Sequence, residues 1–164
     1  MPSAYVALGS NLGDRIANLS LARSLLPCVR ASPLYETIPV DCPEGSAVFL
    51  NGVLELSWDG SAAELHALGQ SIEAQLGRPP QHGYHAPRII DVDLLAVGEM
   101  VIETPTLLLP HPRLHQRRFV LQPWADLSPH LRLPGFQYNI GELLERLDSS
   151  EPPLQRSPHP WNPL

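Results

Sequence analysis

The sequence predicts an α+β sandwich of the ferredoxin-like βαββαβ type, extended by additional helices after the last strand. Three observations predict it. Strand-type and helix-type patterns alternate in that order along the chain. The segment from Ala47 to Trp58 alternates with period two over its whole length. A capping box at Ser61-Ala-Ala-Glu64 then opens an amphipathic helix directly behind it.

Tyr5 to Leu8 is a short apolar strand ending at Gly9. Gly9-Ser10-Asn11-Leu12-Gly13-Asp14 is turn chemistry, in which Ser10, Asn11 or Asp14 can cap the next helix. Leu12, Ile16, Leu19 and Leu26 fit one face of that helix. Val29 to Thr37 reads as extended but is interrupted by Pro33, which predicts an edge strand. A loop rich in Pro, Gly and Asp follows over 38–46. In the 47–58 strand, Val48, Leu50, Leu54, Leu56 and Trp58 form one face; Phe49, Asn51, Val53 and Glu55 form the other. The second helix buries Leu65, Leu68, Ile72 and Leu76 and stops at Gly77.

Residues 78–87 read as a loop, Ile90 to Val97 as a strand, and Gly98-Glu99 as a turn into another short one. After a loop at Pro110–Leu114, a helix is predicted near Arg117–Leu127. Residues 1–148 read as one domain. The last sixteen residues, 149–164, hold five prolines and read as a mobile tail.

Composition excludes several classes. No apolar run is long enough for a membrane span, and Cys28 and Cys42 make neither a zinc site nor a disulfide framework. The N-terminus lacks the features of a secretory signal, so a cytoplasmic location is expected. A net charge of −6 argues against non-specific nucleic-acid binding. The charge is uneven, however. Residues 78–118 hold five of the eleven basic residues and only four acids, Asp91, Asp93, Glu99 and Glu103, for a net +1. That leaves the rest of the chain at −7 and suggests a local site for a small anion. Every basic residue is arginine, so Schiff-base, P-loop and kinase-strand lysine mechanisms are excluded. A bound phosphate would have to be held by arginine forks and metal ions.

Asp91 and Asp93 lie two apart in a predicted strand and so share a face. Their repulsion, roughly 3 kcal/mol at about 5 Å and an effective dielectric of about 20, is relieved by a divalent cation. Oxygen ligands on a short strand suit Mg²⁺. Taken alone, so short a motif more often marks two solvated aspartates. Metal nucleases and sugar-nucleotide transferases also use such a pair, and a non-catalytic ligand-binding module needs none. Phe49 beside Asn51 suits a flat heterocycle, although ordinary packing under a helix explains both as well. Arg78, Arg88, His111 and Arg117 suit a polyphosphate, with surface solvation as the alternative for each.

Together these segments narrow the choice. Tyr5-Val-Ala-Leu-Gly-Ser-Asn-Leu-Gly-Asp14, Leu34-Tyr-Glu-Thr37, Phe49-Leu-Asn51, Gly77-Arg78, Pro87-Arg-Ile-Ile-Asp-Val-Asp-Leu94 and Leu109-Pro-His-Pro-Arg-Leu114, with Arg117 and Phe119, resemble the 6-hydroxymethyl-7,8-dihydropterin pyrophosphokinase family. The resemblance runs over about residues 3 to 135. It implies a ferredoxin-like fold and the transfer of diphosphate from ATP to the hydroxymethyl dihydropterin, giving AMP, in folate synthesis.

It further implies that Asp91 and Asp93 hold two Mg²⁺ ions bridging ATP, and that Arg78 and Arg88 join them as catalytic residues. His111 and Arg117 would contact phosphate with those arginines, and Gln70 and Glu73 would meet the nucleotide. Thr37, Val40, Phe49, Asn51 and Phe119 would form the pterin pocket, the two aromatics sandwiching the ring and Asn51 reading its edge. Two segments depart from the family pattern. His85, beside Tyr84, stands where some members carry a pterin-side tryptophan, and Pro79 and Pro80 stand in a loop where some carry a second arginine. The implied partners are ATP and the pterin, with no nucleic acid and no membrane, and the chain is expected to act as a monomer. The 38–46 and 78–88 loops are the expected lids.

Overall fold

The chain folds into a mixed sheet-and-helix structure in which one sheet is covered on both faces. A computed structural model describes residues 2–37, 48–77, 89–147 and 154–163. Val40, Pro79, Pro80, Tyr84 and His85, the two arginines Arg78 and Arg88, and the 38–46 loop lie outside the described residues.

The sequence from Ser3 to Ser10 forms β1, which is buried along nearly its whole length. Ala4, Val6 and Leu8 face one apolar cluster, and Tyr5 and Ala7 face the other. Burial on both faces explains why this strand reads as a continuous apolar run rather than an alternation. Helix α1 (Arg15–Ser24) starts at Asp14, whose side chain accepts the Ala17 N–H at 3.1 Å. Leu19 and Leu26 enter the core as expected, but Leu12 precedes the helix and is 46% exposed.

The expected single strand over 29–37 divides into β2 (Cys28–Ala31) and β3 (Tyr35–Thr37) around Ser32-Pro33-Leu34. Both pair antiparallel with β4 (Phe49–Ser57). Ser32 bridges the break: its N–H donates to the Val53 carbonyl and its hydroxyl accepts the Val53 N–H, each at 2.9 Å. Helix α2 (Ala62–Gln75) begins with the predicted capping box, both halves formed. It packs against β5 (Asp91–Val97), and Gly69 allows the close approach, since a Cβ there would lie 3.1 Å from Val92 Cγ1.

Strands run in the order β5-β1-β4-β3, all antiparallel, with β2 also on β4. Helices α1 and α2 cover the face carrying Val6, Leu50, Leu54 and Leu56. A small hairpin, β6 (Ile102–Glu103) with β7 (Leu108–Leu109), follows β5. Helices α3 (Arg118–Leu127) and α4 (Ile140–Glu145) then cover the other face through Val120, Leu121, Trp124 and Ile140. No helix among the described residues is long and apolar enough to cross a membrane.

The last residues correct two expectations. Gln155–Arg156 form β8, which pairs antiparallel with β3 on the side away from β4. Strand β3 is therefore not the edge. Residues 154–163, expected within a mobile tail, lie against the domain, with Trp161 packed on the α1-side core. Proline content predicts lack of regular structure, but it does not prevent a segment from docking through one aromatic and a few backbone hydrogen bonds.

Candidate active site

Residues directly opposite on neighbouring antiparallel strands project to the same face. The register places Tyr35 opposite Asn51, Asn51 opposite Gly9, and Gly9 opposite Asp91. This row crosses four strands. The adjacent row is Val53, Ala7 and Asp93, and Thr37 stands opposite Phe49. Thr37, Phe49, Asn51, Asp91 and Asp93 therefore share one face, near one end of the sheet. It is the face that α3 and α4 cover further along. With strands about 4.8 Å apart, the Asn51 and Asp91 backbones lie about 10 Å from each other.

Gly9 keeps the middle of this row open. A Cβ there would lie 2.8 Å from Asn51 Oδ1 and 3.5 Å from Phe49 Cδ1. In the sequence Gly9 marks the end of the first strand and the start of the turn into α1, within the family-like Tyr5–Asp14 motif. Its place between an amide and a carboxylate emerges from strand register. The Asn51 side chain is buried, and its Nδ2–H donates to Thr37 Oγ1 at 2.6 Å. That bond holds the amide in one orientation. Tyr35, beside it, donates its hydroxyl to Asp126 of α3.

Asp91 and Asp93 are half-buried at the start of β5. Glu73 reaches from α2 to the same strand and accepts the Val92 N–H, between the two aspartates, at 2.9 Å. Glu73 therefore has a structural anchor that its predicted nucleotide role did not include. Gln70, one turn earlier, is exposed.

A turn beside β5 carries the cationic side. The His111 N–H donates to the Leu95 carbonyl at 2.9 Å, which ties this turn two residues beyond Asp93. His111 Nδ1 accepts the Arg113 N–H at 3.2 Å, which leaves the ring proton on Nε2 in the neutral form. Burial, with Arg117 and Arg113 nearby, lowers the His111 pKa to about 4, so the ring is neutral near pH 7. The Arg117 guanidinium lies 5.6 Å from the centre of the Phe119 ring, and Phe119 packs on the α3-side core.

Among the described residues, no three His, Cys, Asp or Glu side chains form a metal cage. The donor set instead fits Mg²⁺ of the kind held by one or two carboxylates, with phosphates and water completing the shell. Asp91 and Asp93 meet that requirement by sharing a face on one strand.

The chain is similar to known proteins over most of its length. Residues 5–129 match the family model described as 7,8-dihydro-6-hydroxymethylpterin-pyrophosphokinase (HPPK). It is 42% identical over 130 residues to the 2-amino-4-hydroxy-6-hydroxymethyldihydropteridine pyrophosphokinase of Bacillus subtilis, covering 76% of this chain and 77% of that one. It is 39% identical over 146 residues to the enzyme of the same name from Pseudomonas aeruginosa, covering 85% and 88%. In fold it resembles the wild-type Plasmodium falciparum HPPK-DHPS solved with pteroate, with a TM-score of 0.70 at 16% identity. That alignment covers 88% of this chain but 42% of the longer one. By the family match and the bacterial relatives, this chain belongs to the 7,8-dihydro-6-hydroxymethylpterin-pyrophosphokinase family.

Proposed function

We propose that this chain transfers a diphosphate from ATP to 6-hydroxymethyl-7,8-dihydropterin, releasing AMP and the pterin diphosphate, as a step of folate synthesis. One observation of the structure carries the reading. Asn51, Gly9 and Asp91 stand in register across three strands, with Phe49 beside the amide and Asp93 beside the carboxylate. A bicyclic ring lying over Gly9, stacked on Phe49 and read at its edge by Asn51, would extend its hydroxymethyl arm toward the aspartates. Thr37, Val40 and Phe119 complete this pterin end in the proposal.

The hydroxymethyl oxygen attacks the β-phosphorus of ATP and releases its proton to water or a phosphate oxygen, the bond from that phosphorus to the α-phosphate bridge oxygen breaks, and AMP departs with the electron pair. Such a transition state is loose, so alignment and charge stabilisation matter more than a strong base. Asp91 and Asp93 would hold two Mg²⁺ ions, which neutralise phosphate charge when bound. Neutral His111 would donate from Nε2 to a phosphate oxygen, and Arg78, Arg88 and Arg117 would supply positive charge. Gln70 and Glu73 would flank the nucleotide. We also assign the domain to the ferredoxin-like class, a reading supported by the strand order β5-β1-β4-β3 with α1 and α2 on one face. A monomer suits a site drawn from a single chain, and a cytoplasmic location remains part of the proposal.

The test is AMP formation by the full chain with ATP, Mg²⁺ and the reduced hydroxymethyl pterin. AMP should appear only when all three are present. ADP as the product, or AMP formed equally without the pterin, would refute the assignment.

A further inference from the structure

The C-terminal segment does more than cover the outer edge of β3. It is attached at three levels of the fold. At the strand, the Ser157 N–H donates to the Leu34 carbonyl at 2.8 Å, next to the β8–β3 pairing. On the site face, the Arg156 guanidinium lies 5.9 Å from the centre of the Tyr35 ring and 3.9 Å from the Asp126 carboxylate, which accepts the Tyr35 hydroxyl. On the α1 face, the Trp161 indole N–H donates to the Ser32 carbonyl at 2.8 Å, and Arg23 stacks on its ring at 5.5 Å. The indole also occupies the space a Gly52 side chain would need, only 2.8 Å from that Cβ position. The Asn162 N–H then donates to Ser20 Oγ of α1 at 2.9 Å. The segment thus passes around the edge of the sheet and grips both faces.

What it grips is a three-residue strand whose other strand partner among the described residues is β4, with the Tyr35 hydroxyl bonded to Asp126 of α3. A strand so short has little stability of its own. Its last residue, Thr37, accepts the Asn51 amide. Any shift of β3 is therefore passed to the side chain assigned to the pterin edge.

We propose that residues 154–163 are a strap that holds β3 in register and thereby sets the affinity of the pterin end of the site, with Arg156 and Trp161 as positioning residues. The proposal rests on the pterin reading given above. A strap of this kind acts on the population of the binding-competent arrangement, not on the transfer step. Its loss should raise the KM for the pterin while sparing ATP and turnover at saturation.

Two full-length variants test it: Trp161→Ala, which removes the indole, and Ser157→Pro, which removes the N–H bonded to Leu34. Each should speed amide exchange in Tyr35–Thr37. Each should also raise the pterin KM by about fivefold, the effect of a competent arrangement populated about one fifth of the time. The KM for ATP and the saturated AMP rate should stay within about twofold. Trp161→Phe, which keeps an aromatic ring, should recover most of the loss. If Trp161→Ala fails to fold, Ser157→Pro carries the test. Unchanged exchange in β3, or equal rises in both KM values, would overturn the strap. Absence of AMP formation by the unmodified chain would instead overturn the functional reading. Amide exchange would still decide whether the segment holds β3.

Discussion

Gly9→Ala should damage pterin binding while leaving the fold nearly as stable. The new methyl would sit 2.8 Å from Asn51 Oδ1. Ordinary contact needs about 3.4 Å, so the amide must retreat by roughly 0.6 Å or rotate. The backbone cannot yield instead, because β1 is paired on both sides at Gly9, to Asn51 and to Asp91. Moving the amide breaks its 2.6 Å bond to Thr37. A neutral hydrogen bond contributes about 1 kcal/mol, and loss of the amide's bond to the pterin edge costs about as much again. The Thr37 bond is lost in the free protein as well, so the loss in binding is the pterin bond alone, about 1 kcal/mol or roughly fivefold in pterin Kd. Stability behaves differently. Replacing glycine in a strand restricts the unfolded chain and contributes about 0.5–1 kcal/mol, which nearly offsets the lost Thr37 bond. The assay is titration with the pterin, in the presence of Mg²⁺ and an ATP analogue that cannot react, alongside a thermal melt. Unchanged pterin affinity, or an equal loss of nucleotide affinity, would refute the assignment of Asn51 and Gly9 to the pterin end.

Asp91→Asn and Asp93→Asn should each lower AMP turnover at least about a hundredfold, a barrier increase of roughly 2.7 kcal/mol, without lowering the melting temperature. Near-normal turnover at saturating Mg²⁺ would remove the carboxylates from the mechanism. Phe49→Ala should weaken pterin binding by about 1–3 kcal/mol and leave nucleotide binding unchanged, whereas equal loss of both, or unfolding, would make it a core residue. For His111 the folded pKa lies at about 4, below the ordinary 6.5. Between these values the unfolded chain binds more protons, so the contribution of His111 is present above pH 6.5 and is lost as the pH falls toward 4. Denaturant midpoints measured against pH should therefore show a shallower acid slope for His111→Gln, and an unchanged slope would contradict the burial argument.

Local chemistry is legible in the sequence because it acts over a few residues. The Ser61 capping box follows from side-chain hydrogen bonding within one turn, and the period-two pattern of β4 and the shared face of Asp91 and Asp93 follow from backbone periodicity. The motif resemblance placed the chain in the family its relatives confirm. Long-range facts are of another kind. That Gly9 stands between Asn51 and Asp91 depends on pairing β1 with strands some 40 and 80 residues away, a choice no local pattern encodes. That Glu73 accepts the Val92 N–H depends on how closely α2 approaches β5 at Gly69. The C-terminal segment shows the division most clearly. Five prolines in sixteen residues disfavour a long helix or strand, because they remove backbone donors and fix φ, and the described residues of this stretch hold only the two-residue β8. Docking of that segment is decided elsewhere: by the gap above Gly52 that admits Trp161, the carbonyl of Ser32 and the open side of β3. These partners lie more than a hundred residues away, and they become neighbours only once the sheet has formed.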